Sequence, residues 1–254
     1  MAARNSGRHL DFHPTKPWVY VSIETQNKMY TYRIENGRLD PEIPFRAETL
    51  AEPDNIRARQ AAGTVHVHPN GRFLYGANRA EQTVEFQGNK VFKGGENSIV
   101  VYAIDQSTGE PKPIQHADTH KIHPRTFHID PSGIHPRTFH IDPSGRLLVA
   151  EHNLPVDVRE GDTVKTVPAG LSVFRIGDDG KLTFVRAYDV DVGDKTMFWM
   201  GMVPLPAQAL QRLGWANPAK PLNNCTSIRR WGSLGSAHPT KEPGMDIGNQ
   251  TGGA

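Results

Sequence analysis

Five polar residues and one glycine stand at matched distances from three turn prolines. Six residues before Pro14, Pro69 and Pro143 stand Arg8, Gly63 and Arg137, and ten residues after them stand Glu24, Arg79 and Asn153. Arginine forks bind planar anions through paired hydrogen bonds. A carboxylate held beside them adds a group that can exchange a proton with water or substrate. Flanking guanidinium groups also keep such a carboxylate ionised and weaken it as a base, an effect that burial or a bound anion offsets. The set therefore suits an anionic substrate. Its plainer reading is an ion network lining a channel.

The repeat around those prolines says how the residues meet. RHLDFHPTKPWVYV (Arg8 to Val21), TVHVHPNGRFLYGA (Thr64 to Ala77) and RTFHIDPSGRLLVA (Arg137 to Ala150) share an alternating strand, a His/Asp-Pro turn and a second apolar strand. Leu10/Phe12, Val65/Val67 and Phe139/Ile141 alternate with polar residues, as half-buried antiparallel strands do. A third strand and a hairpin follow each unit, with two-residue turns expected at Asn36-Gly37 and Asp179-Gly180 and a weaker turn signal at Thr108-Gly109. Pro14 to Pro69 is 55 residues and Pro69 to Pro143 is 74. The longer interval contains IHPRTFHIDPSG twice in tandem, Ile122 to Gly133 and Ile134 to Gly145, which reads as a recent duplication or an assembly error. Twelve is even, so alternation survives the insertion, and the second copy, which runs on into RLLVAEH, is expected to supply the strand. Units of this length holding four short strands are the mark of β-propeller blades, with 79–98 and 153–170 as inserted decorations. The start of a blade's first strand and the end of its second lie at one edge of the sheet. Arg8, Glu24, Arg79 and Arg137 should thus share one mouth of a central channel.

Composition narrows the function classes. The 254 residues hold 29 Lys plus Arg and 27 Asp plus Glu, too balanced for a dedicated nucleic-acid binder. One cysteine, Cys225, excludes a disulfide framework and a cysteine-rich zinc site. Twelve histidines raise the question of a metal site, but none is expected. His66 could still line the cleft as a proton carrier. His13 and His68 read as turn residues, and Trp18, Tyr20, Phe73 and Tyr75 as core between blades. No run is long enough to span a membrane and the start has no apolar leader core, so a soluble, cytoplasmic protein is expected. After Val203 the alternation stops, and an unstructured tail with one short helix near Gln208 to Leu213 is expected.

RHLDFHPTKPWVYVSIE, VHVHPNGRFLYGANR and PRTFHIDPSGRLLVAEH, in that order, resemble the last blades of the seven-bladed propeller lactonase family. That family includes propeller-type 6-phosphogluconolactonases and the fungal 3-carboxy-cis,cis-muconate lactonizing enzyme. The resemblance covers about Gly7 to Val203. It implies an all-β fold, a partial β-propeller of three to four blades in residues 1–203, and a separate tail in 204–254. The arginine opening the family's RHL strand falls on Arg8, the glutamate sixteen residues on falls on Glu24, and the arginine of the NR dipeptide falls on Arg79. The family's site histidine lies upstream of the RHL strand. Ile23-Glu24 stands where the family usually has Asn-Glu, and Thr15-Lys16-Pro17 where it usually has a glycine turn. The resemblance implies hydrolysis of a sugar lactone, with Arg8 and Arg79 clamping the anion and Glu24 as general base; His66 on its strand, and Arg137 and Asn153 from their places in the repeat, are expected to bind substrate. It implies no metal, no cofactor and no nucleic-acid or membrane partner. Muconate cycloisomerisation and a non-catalytic scaffold are the alternatives, with self-association through open blade edges as the expected form of assembly.

Overall fold

Short alternating runs broken by Pro and Gly turns fold into antiparallel sheets. The computed structural model describes residues 7–122, 139–142, 144–197, 200 and 202. β1 (Gly7–Phe12), β2 (Trp18–Ile23) and β3 (Lys28–Glu35) pair in order; β4 (Arg38–Leu39) folds back on the end of β3, and β5 (Phe45–Glu48) pairs farther along it. A 3-10 turn, Glu24–Gln26, joins β2 to β3. The second sheet holds β6 (Gln60–Val67) and β7 (Phe73–Ala80). A hairpin of β8 (Thr83–Phe86) and β9 (Asn89–Phe92) then intervenes before β10 (Ser98–Ile104) and β11 (Pro111–Asp118) complete the order β6-β7-β10-β11. The third repeats the plan. β12 (Phe139–Ile141) and β13 (Leu147–His152) precede the hairpin of β14 (Val156–Glu160) and β15 (Thr163–Val167), and β16 (Gly170–Ile176) and β17 (Leu182–Asp189) finish the sheet.

These are three blades of a β-propeller, the second and third four-stranded and the first with two short outer strands, β4 and β5, both against β3, and the fold is all-β as expected. The first strands lie toward a common axis, with β1 against β6 and β6 against β12. Both decorations are hairpins placed between the second and third strands of a blade. β12 is cut from the second copy of the duplicated segment. The first copy, from His123 onward, and Arg137 lie outside the described residues. The chain divides into two units, Met1–Pro204 and Leu205–Ala254. The second lies wholly outside the described residues, and with it the expected tail and its helix near Gln208 to Leu213. Among the described residues no helix is long and apolar enough to cross a membrane.

The apolar side chains are buried between blades. Trp18, Tyr20 and Met29 of the first blade meet Val65, Val67 and Tyr102 of the second. Phe73, Tyr75 and Val101 of the second meet Ile141, Phe174 and Leu182 of the third. Alternate residues of β7 thus serve two interfaces, which is why all eight are buried. Polar contacts repeat along with the packing. His13 Nε2 donates to the Gly71 carbonyl at 2.9 Å and His68 Nε2 to the Gly145 carbonyl at 2.8 Å. Each ring's Nδ1 accepts from its own turn, His13 from Lys16 N and His68 from Asn70 N, which fixes the tautomer. The Tyr20 hydroxyl donates to the Gly109 carbonyl at 3.0 Å and the Tyr75 hydroxyl to the Gly180 carbonyl at 2.8 Å. The acceptor glycines have φ between 70° and 83°, and a Cβ on any of them would strike the donor blade's ring or its neighbour.

Two hairpins differ from their expected form, and around Thr108-Gly109 the strands close at Ile104 opposite Pro111, with six residues between. Asn36-Gly37 is a two-residue turn closed by Glu35 opposite Arg38. The strands around Asp179-Gly180 instead close at Ile176 opposite Leu182, leaving five residues in the loop. Gly177 N donates to Lys181 O and Gly180 N to Gly177 O, and this wider loop carries the Gly180 carbonyl to Tyr75.

Candidate functional site

The mouth where second strands end brings Glu24 and Arg79 together. Glu24 opens the 3-10 turn beyond β2, and Arg79 lies near the end of β7 in the next blade. Their side chains form an ion pair across the blade boundary, Arg79 Nη2 to Glu24 Oε1, at 3% and 13% exposure. Arg79 Nη1 also donates to the Ala62 carbonyl at 3.1 Å. The guanidinium lies over Gly63, where a Cβ would come within 3.3 Å of Nη1 and 3.2 Å of the Ala77 Cβ. Gly63 therefore stands where it does because an arginine from the neighbouring strand occupies the space above it.

Backbone irregularity creates that space. β6 bulges between Ala62 and Val65, and β1 bulges between Gly7 and His9. The position six residues before the turn proline is thus a bulge in both blades, Arg8 in one and Gly63 in the other. Bulges bend a strand and re-aim its side chains. The backbone of Arg8 lies opposite the end of β2, one step from Glu24; its side chain is outside the described set. Gln60 holds the Arg79 backbone, donating from Nε2 to the Arg79 and Glu96 carbonyls at 2.9 Å each. Asn27, left-handed at φ 53° and buried, ends the 3-10 turn and donates to the Gln60 carbonyl at 3.4 Å. Asn27, Gln60 and Ala62 are supporting residues that the sequence did not single out, whereas Gly63 was already in the aligned column. Only Gly63 carried a signal, as the odd residue in a column of arginines.

His66 lies apart from this pair, about 15 Å along β6 from the residue facing Arg79. Its Nδ1 is 3.6 Å from Asp11 Oδ2, which also accepts Val67 N at 2.8 Å. Asn153, 3% exposed, follows β13 and accepts Met197 N at 3.2 Å through its carbonyl. His152 beside it is buried, with Nδ1 donating to the Ile122 carbonyl at 3.0 Å and Nε2 3.2 Å from Ser172 Oγ. Burial pushes the His152 imidazole down to about 3, so it is neutral at physiological pH and serves the blade's packing. A cleft of about 400 Å³ opens on the outer side of Gln60, lined by Arg57, Glu96, His116 and Asp118 but by neither Glu24 nor Arg79. Among the described residues no three His, Cys, Asp or Glu side chains converge as a metal site would require.

The family model described as Lactonase, 7-bladed beta-propeller, matches residues 1–135, just over half the chain, including Arg8, Glu24 and Arg79. The chain belongs to this family. Over 122 residues it is 33% identical to a 6-phosphogluconolactonase of Formosa agariphila, covering 48% of this chain and 30% of that one. Over 120 residues it is 29% identical to the 6-phosphogluconolactonase of Bacillus subtilis, covering 47% and 30%. Among solved structures, a Lactobacillus plantarum protein superimposes at TM-score 0.51 and 19% identity, over 74% of this chain and 42% of that one. The Pseudomonas aeruginosa periplasmic gluconolactonase superimposes at TM-score 0.50 and 21% identity, over 73% and 40%. These two likenesses concern the fold. The chain spans 30% of the length of the two curated relatives and about two-fifths of each solved propeller, the share that three blades occupy in a lactonase ring of seven.

Proposed function

We propose that this lactonase-family chain carries the base and one anion clamp of a lactone-hydrolysing site, acting on a sugar lactone such as 6-phosphogluconolactone. The observation supporting it is the buried Glu24–Arg79 pair bridging two blades at the axial mouth. In the proposed reaction Arg79 and Arg8 hold the substrate's anionic group and place its ring carbonyl near Glu24. Glu24 takes a proton from water as the water oxygen bonds to the carbonyl carbon. The tetrahedral oxyanion gathers donors from the arginines. The carbon to ring-oxygen bond then breaks, and the proton held by Glu24 passes to the departing ring oxygen, leaving an open-chain hydroxy acid. Side chains and water supply every atom and electron pair in this scheme.

The test is acid release from 6-phosphogluconolactone and from gluconolactone at pH 7 by the purified full chain, corrected for spontaneous opening. Catalysed opening is expected, and Glu24→Gln should lower it by about a hundredfold or more, the usual contribution of a positioned base. A wild-type rate equal to the spontaneous one, or a Glu24→Gln rate equal to wild type, would overturn the reading.

A further inference from the structure

The strand that carries Arg79 loses its outer neighbour one residue before the arginine. β7 and β10 pair from Phe73 opposite Ala103 to Asn78 opposite Ser98, and there the ladder stops. Past that point the chain leaves for the β8–β9 hairpin before returning as β10. A strand end released in this way has backbone groups still to be satisfied. Two side chains take over from the ladder. Gln60 Nε2 donates to the Arg79 carbonyl at 2.9 Å, and Asn97 Oδ1 accepts Ala80 N at 3.1 Å.

The Gln60 amide is fully engaged. Nε2 also donates to the Glu96 carbonyl at 2.9 Å, and Oε1 accepts Glu96 N at 2.8 Å. Both donor hydrogens and the acceptor oxygen are thus in use, at 7% exposure of the residue. Gly95, at a positive φ of 137°, lets the loop come this close, since a Cβ there would lie 2.9 Å from Gln60 Oε1 and 2.2 Å from the Ala80 Cβ. The backbone of Gln60 reaches the other half of the pair. Its carbonyl accepts Asn27 Nδ2 at 3.4 Å, and Asn27 ends the turn that Glu24 opens. Glu24 and Arg79 belong to different blades, yet one residue is bonded to the elements that carry both.

We propose that Gln60 is a positioning residue for the Glu24–Arg79 pair: its side-chain amide replaces the strand ladder that ends before Arg79, and its carbonyl sets the turn that bears Glu24. The kinetic consequence rests on the lactone-hydrolysing reading above; the effect on the Arg79 side chain does not.

Gln115 supplies a matched control. Its amide makes the same two-bond clasp, Nε2 to the Leu182 carbonyl at 2.9 Å and Oε1 from Leu182 N at 2.7 Å, between the second and third blades. Leu182 opens β17, at the end of the sheets away from Arg79.

The test compares Gln60→Met, which keeps the length of the side chain and removes its three bonds, with Gln115→Met, each in the full chain. Two readouts are taken: the guanidinium Nη–H signals of Arg79 in protein labelled with nitrogen-15 arginine, identified by their loss in Arg79→Lys, and kcat/KM for 6-phosphogluconolactone. Held by Glu24 and the Ala62 carbonyl, the guanidinium should give separate Nη signals in wild type and Gln115→Met, and averaged signals in Gln60→Met. Displacement of the pair should lower kcat/KM by about tenfold or more in Gln60→Met, against less than about twofold in Gln115→Met. Arg79 signals unchanged in folded Gln60→Met, equal effects of the two variants, or signals already averaged in wild type overturn the proposal. Should Gln60→Met fail to fold, Gln60→Glu, which keeps the acceptor for Glu96 N and loses both donors, decides by the same signals. A wild-type chain that opens no lactone overturns the hydrolytic reading alone, and the Arg79 signals still decide the role of Gln60.

Discussion

Breaking the ion pair at the channel mouth should cost far more than breaking a surface salt bridge. Glu24→Gln removes one charge and leaves the Arg79 guanidinium, at 3% exposure, with a neutral neighbour. Leaving a buried charge without its counter-charge typically costs about 3–5 kcal/mol. For a folded unit of this size that corresponds to a fall in Tm of roughly 6–20 °C. Arg79→Met should cost a similar amount, since it removes the guanidinium that the Glu24 carboxylate meets across the blade boundary. The double variant Glu24→Gln/Arg79→Met should recover much of the loss, because both buried charges of the pair are then removed together. The assay is urea and thermal unfolding of the four proteins, followed by circular dichroism, at low and high salt. A coupling energy of about 2 kcal/mol that survives added salt is expected, because buried pairs are weakly screened. Single-variant losses below about 1 kcal/mol with no coupling would refute the reasoning, since they are what a hydrated pair shows.

Acid should destabilise the protein through its buried imidazoles. Burial holds His152 at about 3, against 6.5 for the free side chain, and lowers His13 as well. Above pH 6.5 neither state binds the His152 proton; as the pH falls from there toward 3 the unfolded chain binds it first, and stability falls by about 1.4 kcal/mol per pH unit from this group. His152→Asn, which copies Asn78 at the same place in the second blade, should flatten the change in urea midpoint between pH 7 and 5; an unaltered slope would exclude His152 as its source. Gly109→Ala and Gly37→Ala impose the same left-handed strain of about 1 kcal/mol, but only the first drives a methyl into the Trp18 ring. Gly109→Ala should therefore lower Tm by several degrees more, and equal losses would show that the ring contact contributes nothing.

The repeat was legible because its period lies in the chain itself. Turn prolines, period-two alternation and glycine turns fix each strand locally, so the three blades could be read from the sequence, whereas 79–98 and 153–170 read only as insertions and their hairpin form came from the structure. The meeting of Glu24 with Arg79 was legible for a related reason: equivalent places in successive blades must lie side by side. Contacts that end on backbone atoms were not. His13 finds the carbonyl of Gly71, 58 residues away, and Tyr75 that of Gly180, 105 residues away, and a carbonyl has no residue type to read. Asp179-Gly180 looked like a two-residue turn because the dipeptide is one locally, whereas the loop is shaped by a tyrosine from another blade. His66 was placed by strand alternation, but its nearness to Asp11 depends on how far β6 slides against β1, which no pattern within either strand specifies.

The staples between blades and the Glu24–Arg79 pair occupy opposite ends of the same strands. His13, Gly71, Tyr20 and Gly109 all lie at the end of the sheets where the first and third turns fall, about 20 Å along β7 from Arg79. The blades are tied at the mouth end as well, where Asn27 donates to the Gln60 carbonyl and Asn78 to the Thr49 carbonyl across the same boundary. The carboxylate and the guanidinium are thus held between two sets of cross-blade hydrogen bonds, and the turn that carries Glu24 is part of the second set. A change in the length of that turn would move the carboxylate and break a staple together.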